Sequence, residues 1–306
     1  MQLYLPIAEM SVNMMLILGM GFAVGFLSGL FGVGGGFLLT PLLIFAGISP
    51  AIAVATSANQ MVASSISGFI AYWRRDTVDF RMGGVLIAGG AAGALAGIGI
   101  FDALAKMGQV GLLISVLYAV FLGGIGWLML NESIQAIRKR RAGTPNPARQ
   151  SGQHFWLHGL PFKMRFRRSK LYISALGPLL LGFGIGILTA IMGVGGGFIM
   201  VPALIYLLHM PTNVVIGTSL FQVTFITGLV TLLHAVNTHS VDLMLASVLI
   251  AGGVIGAQFG VRAGHRLRGE ELRAMLAILV LAVAIRLAID LVSHPSLLYS
   301  ATATKL

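Results

Sequence analysis

The 306 residues are 57% hydrophobic and only 9% charged, with a mean hydropathy of +0.93. Soluble domains carry about 25% charged residues, so a water-soluble globular protein is excluded, and long unbroken apolar runs exclude a β-barrel, whose strands alternate. The net charge of +11 does not mark a nucleic-acid binder, because ten of the 20 Lys and Arg crowd between Arg138 and Lys170; that distribution fits a cytoplasmic loop held against anionic lipid.

The fold class expected is an all-α polytopic membrane protein. The first 30 residues hold no Lys or Arg, so no signal peptide with a basic start is expected, and residues 13–31 read as the first span. Apolar segments follow at 37–48, 50–73, 83–100 and 110–131, then at 171–192, 198–210, 213–235, 243–262 and 274–292. Most approach the ~20 residues that cross hydrocarbon as a helix. The segments 37–48 and 198–210 are shorter, so they are tilted, broken or re-entrant. There is no cysteine, which rules out disulfides and Cys-ligated metals.

The two sets of five segments correspond. Leu30-Phe31-Gly32-Val33-Gly34-Gly35-Gly36-Phe37 recurs 161 residues later as Ile191-Met192-Gly193-Val194-Gly195-Gly196-Gly197-Phe198, with Pro41 and Pro202 at the same offset. Ala55-Thr56-Ser57-Ala58-Asn59-Gln60 matches Gly217-Thr218-Ser219-Leu220-Phe221-Gln222, and Val78-Asp79 matches Val241-Asp242. Val85-Leu86-Ile87-Ala88-Gly89-Gly90 is identical to Val248-Leu249-Ile250-Ala251-Gly252-Gly253 at an offset of 163. The expected organisation is therefore a first transmembrane repeat over 1–131, a basic cytoplasmic linker over 132–170 and a second repeat over 171–306. With five spans per half, Arg74, Arg75, Arg81, Arg262, Arg266, Arg268 and Arg273 fall on the same side as the linker, as the positive-inside rule prefers. An odd span number makes the repeats inverted; the alternative is four spans plus a re-entrant segment per half. The basic, aromatic stretch 162–168 reads first as a topology anchor with no specific binding, with an interfacial helix as the alternative.

Glycine clusters uncover backbone N–H and C=O groups, which hydrocarbon does not tolerate, so two such clusters point to a protein-lined cavity near mid-membrane. A helix N-terminus binds anions without a formal cation. The substrate-binding candidates are thus Gly34, Gly35, Gly36 and Phe37 with Gly195, Gly196, Gly197 and Phe198 for backbone N–H groups, Thr56, Ser57, Thr218 and Ser219 for hydroxyls, and Gln60 and Gln222 for amides. No nucleophile–base pair, carboxylate pair or metal constellation falls within a span, so no catalytic residue, metal or cofactor is expected. The glycine runs lack the strand–turn–helix setting and the Lys of a phosphate loop. Gly25, Gly93, Gly97, Gly186, Gly256 and Gly260 read as helix-packing glycines. Asp79 and Asp242 read as N-caps at helix starts, and Arg286 with Asp290 as an i,i+4 pair. His234 and His239 sit near a span end, while Trp73, Trp127 and Tyr118 suit interface or packing positions.

With those motifs quoted, the chain resembles the TauE/SafE family of bacterial permeases for sulfite, organosulfonates and related small sulfur anions. The likeness covers about 20–290, with Ala55 and Asn59 departing from Gly217 and Phe221. It implies a secondary transporter of sulfite, thiosulfate or an organosulfonate in the bacterial inner membrane, working by alternating access. A gated anion channel on the same scaffold is the alternative, and an intramembrane enzyme or assembly factor a more distant one. The expected partners are a small anionic substrate and the bilayer, with a homodimer left open and no nucleic acid.

Overall fold

Backbone polar groups must be satisfied internally in hydrocarbon, so a chain this apolar folds as helices. A computed structural model describes residues 2–7, 10–31, 36–107, 110–141, 163–166, 168–169, 171–208, 210–238, 242–264 and 269–293. Antiparallel strands β1 (Gln2–Leu5) and β2 (Met10–Asn13) lead into α1 (Met14–Phe31), α2 (Gly36–Phe45), α3 (Pro50–Trp73), α4 (Phe80–Lys106) and α5 (Val110–Arg141). Antiparallel β3 (Lys163–Phe166) and β4 (Leu171–Ser174) lead into α6 (Leu176–Met192), α7 (Gly197–Tyr206), α8 (Thr212–Leu233), α9 (Leu243–Gly264) and α10 (Gly269–Ser293). A π-helical turn, His234–Thr238, extends α8.

Each expected apolar segment is helical, and the protein is polytopic. Helices α4, α5, α8, α9 and α10 contain stretches long and apolar enough to cross a membrane, while α1, α2, α6 and α7 are shorter apolar helices. With 24 residues α3 is long enough but carries a polar seam that includes Thr56, Ser57, Gln60, Ser64 and Ser65. The structure corrects two expectations. Residues 163–166 form β3 instead of an interfacial helix, and the span expected from 171 starts at Leu176, because 171–174 form β4. The reason is visible in the burial. Phe166, Leu171 and Ile173 are buried and Tyr172 is exposed, an alternation that suits a strand. Two contacts pin the turn between them: Ser169 bonds the Asp79 carboxylate, and Arg168 bonds the carbonyl and carboxylate of Asp76. Helix α5 also continues to Arg141, into the stretch expected as linker.

Glycine decides which helices touch. Gly21, Gly25 and Gly29 of α1 lie on the backbone of Leu249, Gly253 and Ala257 of α9, so these two helices run parallel. Gly89, Gly93 and Gly97 of α4 lie in the same way on Leu179, Phe183 and Ile187 of α6. Without Cβ atoms the backbones approach closely, which replaces the hydrophobic drive that lipid does not supply. By contrast α3 and α8 are antiparallel: the Thr224 hydroxyl donates to the Ser65 hydroxyl at 3.1 Å, and Leu220 covers Gly68. Helices α5 and α10 are antiparallel too, with Gly123 near Ala284 and Gly126 against Leu281.

The helix starts are tied by a reciprocal exchange. Asp79 caps α4, its Oδ1 accepting from the N–H groups of Arg81 and Met82 at 3.2 Å. Its Oδ2 accepts from the Ser169 N–H at 3.0 Å and hydroxyl at 2.7 Å, both from the β3–β4 turn. Asp242 caps α9 through the Leu245 N–H at 3.1 Å and accepts from the Ile7 N–H, in the β1–β2 turn, at 3.1 Å. The Asp79 N–H donates to Thr218 Oγ1 at 3.0 Å, and the Asp242 N–H to Thr56 Oγ1 at 3.4 Å. Both carboxylates are buried, so this exchange, and not solvent, satisfies them.

Two sets of substitutions test these contacts by thermal unfolding of the detergent-solubilised protein. A Cβ at Gly25 or Gly93 would overlap the carbonyl oxygen of Gly253 or Phe183, whereas at Gly99 and Gly184 it meets nothing. Gly25→Ala and Gly93→Ala should therefore destabilise by about 1–3 kcal/mol, the usual cost of overpacking, and Gly99→Ala and Gly184→Ala should not. Thr218→Val strands the buried Asp79 N–H and should cost about 1–3 kcal/mol. Thr231→Val removes a hydroxyl that has no partner among the described residues and should leave the melting temperature unchanged or raised.

Candidate functional site

The second glycine run is held open by its own stereochemistry. Helix α6 ends on Gly193 at φ +68°, whose N–H returns to the Thr189 carbonyl at 2.8 Å. Gly195 and Gly196 follow at φ +68° and +70°, a region that L side chains avoid. Space is closed as well as conformation: a Cβ at Gly193 would lie 2.6 Å from the Val54 carbonyl oxygen, and at Gly196 it would strike Ile185. Helix α7 then restarts at Gly197, and α2 begins at Gly36, so each helix starts on the last glycine of its run. The first N–H groups of such a helix have no acceptor in the helix itself. Here Gly36, Phe37, Gly197 and Phe198 are all buried, so water does not satisfy them either.

The two helix starts meet. The rings of Phe37 and Phe198 stack with centroids 4.4 Å apart and planes 17° apart. Met61, on α3, fills the gap beside both runs: a Cβ at Gly36 would strike its sulfur, and a Cβ at Gly195 its terminal methyl. Gly36 and Gly195, one from each run, thus lie against one thioether, while Phe37 and Phe198 meet in the stack. Gly34 and Gly35 lie outside the described residues. Nothing in the sequence singled out Met61; a methionine in an apolar span gives no signal until its neighbours are known.

The amides and hydroxyls divide. Gln60 and Gln222 are fully buried, Gln60 packed over Gly253 and Gln222 beside Gly90. The Gln60 Oε1 and both polar atoms of Gln222 have no hydrogen-bond partner among the described residues, a state that native structures seldom leave unexplained. The hydroxyls are committed elsewhere. Thr56 and Thr218 accept from the Asp242 and Asp79 amides. Because α3 and α8 are antiparallel and each Thr lies near the start of its helix, they stand toward opposite ends of the bundle. Ser57 bonds the Thr40 hydroxyl and its own helix, and Ser219 bonds the Ile216 carbonyl at 2.9 Å.

Other singled-out residues brace this centre. Tyr118, buried on α5, donates to the Met192 carbonyl at 2.7 Å, satisfying the end of α6 where the glycine run begins. The His234 Nε2 lies 3.0 Å from the Ala190 carbonyl oxygen, with Phe101 edge-on at 4.8 Å. The Arg286 guanidinium sits over the Phe45 ring at 5.6 Å, a cation–π contact. Trp73 and Trp127 are exposed, as interface residues are.

What this arrangement can do chemically is offer buried helix-start N–H groups at the meeting point of two broken helices, with no group placed for bond-making among the described residues. Residues 17–287 match the family described as Sulfite exporter TauE/SafE. A probable membrane transporter protein of Xylella fastidiosa (strain 9a5c) is 31% identical over 283 residues, 89% of this chain and 94% of that protein. The probable membrane transporter protein YjnA of Bacillus subtilis is 29% identical, over 91% of this chain and all of that protein. Another, MJ0441 of Methanocaldococcus jannaschii, is 26% identical over 86% of this chain and 90% of its own length. No solved structure matches the chain. The chain belongs to the TauE/SafE sulfite exporter family, and is a multi-pass membrane transporter, not an enzyme.

Proposed function

We propose that the chain is a secondary carrier that moves a small sulfur-containing oxyanion, such as sulfite, thiosulfate or an organosulfonate, across the bacterial inner membrane by alternating access. The observation that carries this is the convergence of both glycine runs, with the Phe37–Phe198 stack, on Met61. An oxyanion needs several N–H donors and little else, and helix starts supply them with about half a positive charge each. The Gln222 Nε2 adds an amide donor that has no partner among the described residues, so a substrate oxygen completes it, and Gln60 is the matching amide on α3. Gly34 and Gly35, which continue the first run, belong to the same site. Thr56, Ser57, Thr218 and Ser219 take part only if their present bonds break.

The scaffold is two inverted repeats of five spans, with α2 and α7 crossing. The antiparallel pairings of α3 with α8 and α5 with α10 support this. If α2 and α7 re-entered instead, each of those counterpart pairs would run parallel. Residues 132–170 face the cytoplasm in this arrangement. An inside-negative potential drives an anion outward by about 2.3 kcal/mol per charge per 100 mV, which favours export without a coupling ion. A homodimer is compatible with the exposed apolar faces of the outer helices and is not needed for the site.

Counterflow in proteoliposomes is the test, with sulfite, thiosulfate, sulfoacetate, taurine and phosphate offered in turn. The expected result is saturable exchange of a sulfur oxyanion in preference to phosphate; unitary currents without counterflow would make the protein a channel. Gln222→Leu should weaken substrate binding about 10- to 100-fold, the worth of one hydrogen bond to a charged group, with an unchanged melting temperature. Undiminished affinity in both Gln60→Leu and Gln222→Leu would move the site away from the glycine runs.

A further inference from the structure

A cavity of about 460 Å³ opens between α1, α3, α8 and α9, ample room for water. Its walls are polar for a membrane interior: Ser28, Ser64, Ser67 and Gln258 line it, with Arg74 and Arg262 among its boundary residues. Both arginines are exposed, and neither pairs with a carboxylate among the described residues. The cavity points at the site above. Gly29 lies one turn before the first glycine run, and the Ser64 hydroxyl donates to the Met61 carbonyl at 3.1 Å.

The offsets of the proposed repeat show what stands at the corresponding place on the other side. Ser28 and Gly29 pair with Thr189 and Ala190, Ser64 and Gly68 with Ile226 and Val230, Tyr72 with His234. Leu220 pairs with Ala58, and Ala257, Gln258 and Arg262 pair with Ala94, Leu95 and Gly99. Ala58, Ala94, Ala190, Ile226 and Val230 form one buried apolar cluster, and His234 bridges to the Ala190 carbonyl over it. Anchoring arginines would satisfy the positive-inside rule from any loop. They would not call for serines and a glutamine behind them, or for this polarity on one side alone.

We propose that this cavity is an anion-collecting vestibule, a second binding place for a small tetrahedral oxyanion, in which Arg74 and Arg262 supply the charge and Ser28, Ser67 and Gln258 the hydrogen bonds. It deepens the carrier assignment above and rests on it, and it makes the present conformation open at the arginine-bearing face and sealed at the other by the alanine–isoleucine–valine cluster. A cleft of one charge sign with low-dielectric walls focuses its field and enriches counter-ions at its mouth.

The absence of native cysteine makes the test direct, since an introduced thiol is the only one. Ser67→Cys in proteoliposomes is treated from the arginine-bearing face with a membrane-impermeant sulfonated methanethiosulfonate and with its trimethylammonium analogue. Rates are normalised to a free thiol in solution. The anionic reagent should be favoured roughly tenfold, with protection by sulfoacetate, which does not attack thiosulfonates or disulfides. Arg74→Gln/Arg262→Gln should abolish the preference and Arg74→Lys/Arg262→Lys should keep it; Arg75 and Arg81 remain to hold the orientation. Val230→Cys should react from neither face. Equal normalised rates, or a preference that survives removal of both arginines, would overturn the vestibule. The carrier assignment fails separately: absent counterflow of every sulfur oxyanion offered, with the reagent preference intact, would remove that assignment and leave the vestibule, and intact counterflow without the preference would do the reverse.

Discussion

A helix broken inside hydrocarbon finds no water for its loose ends, and that constraint acts on this chain twice. At the second break the repairs are visible one by one. Gly193 turns left-handed so that its amide returns to Thr189, and the Tyr118 hydroxyl reaches across from α5 to the Met192 carbonyl. The carbonyl side of the break is thereby closed while the amide side, at the start of α7, is left to the site. In the proposed site that asymmetry leaves the amides at the start of α7 as the donors that would meet an anion.

The close glycine contacts set what can move. Helix α1 lies on α9 and α4 on α6 with backbone against backbone, and such contacts have no side-chain layer that could rearrange. Each pair is therefore built as a unit that draws one helix from each half of the chain, and in the proposed carrier would travel as one. The Asp79 and Asp242 exchange reinforces this, because each strand-pair turn holds the helix cap of the other half. A simple rocking of the first half against the second would tear both connections. The α3–α8 contact is different, built from side chains such as Leu220 over Gly68 and Thr224 on Ser65; in the proposed carrier it is the surface along which units would slide.

The helices were legible because burial in lipid demands long apolar runs, and the broken pair was legible because three adjacent glycines have no packing explanation. Asp79 and Asp242 were legible as caps, but their partners were not. Residues 90 and 235 positions away in sequence supply the second bonds, and a local pattern holds no information about such distances. The strand pairs escaped for a related reason: four-residue strands leave almost no period, and the basic residues of 163–168 resemble an interfacial helix until Ser169 and Arg168 are seen to be tied down. The hydroxyls of Thr56 and Thr218 were readable as polar groups in a span, which is a fact about need; who meets that need is a fact about tertiary structure.

Positions that agree between the proposed repeats and positions that differ have separate physical duties. Asp79 and Asp242, Thr56 and Thr218, Phe37 and Phe198, and Gln60 and Gln222 agree, and they close backbone or face the centre. Such needs are the same in both halves, since a cap or a helix start is unsatisfied wherever it is buried. Ser64 and Ile226, Tyr72 and His234, and Arg262 and Gly99 differ: the first of each pair lines the polar cavity, while Ile226 belongs to a buried apolar cluster with Ala58, Ala94, Ala190 and Val230. In the carrier proposed above, two identical mouths would be equally wet and equally charged, leaving nothing in the protein to favour one open state over the other. Filling one of them with that cluster would add apolar burial to the state in which it is shut, so the divergence of a few side chains would bias the equilibrium while the matched residues served both states.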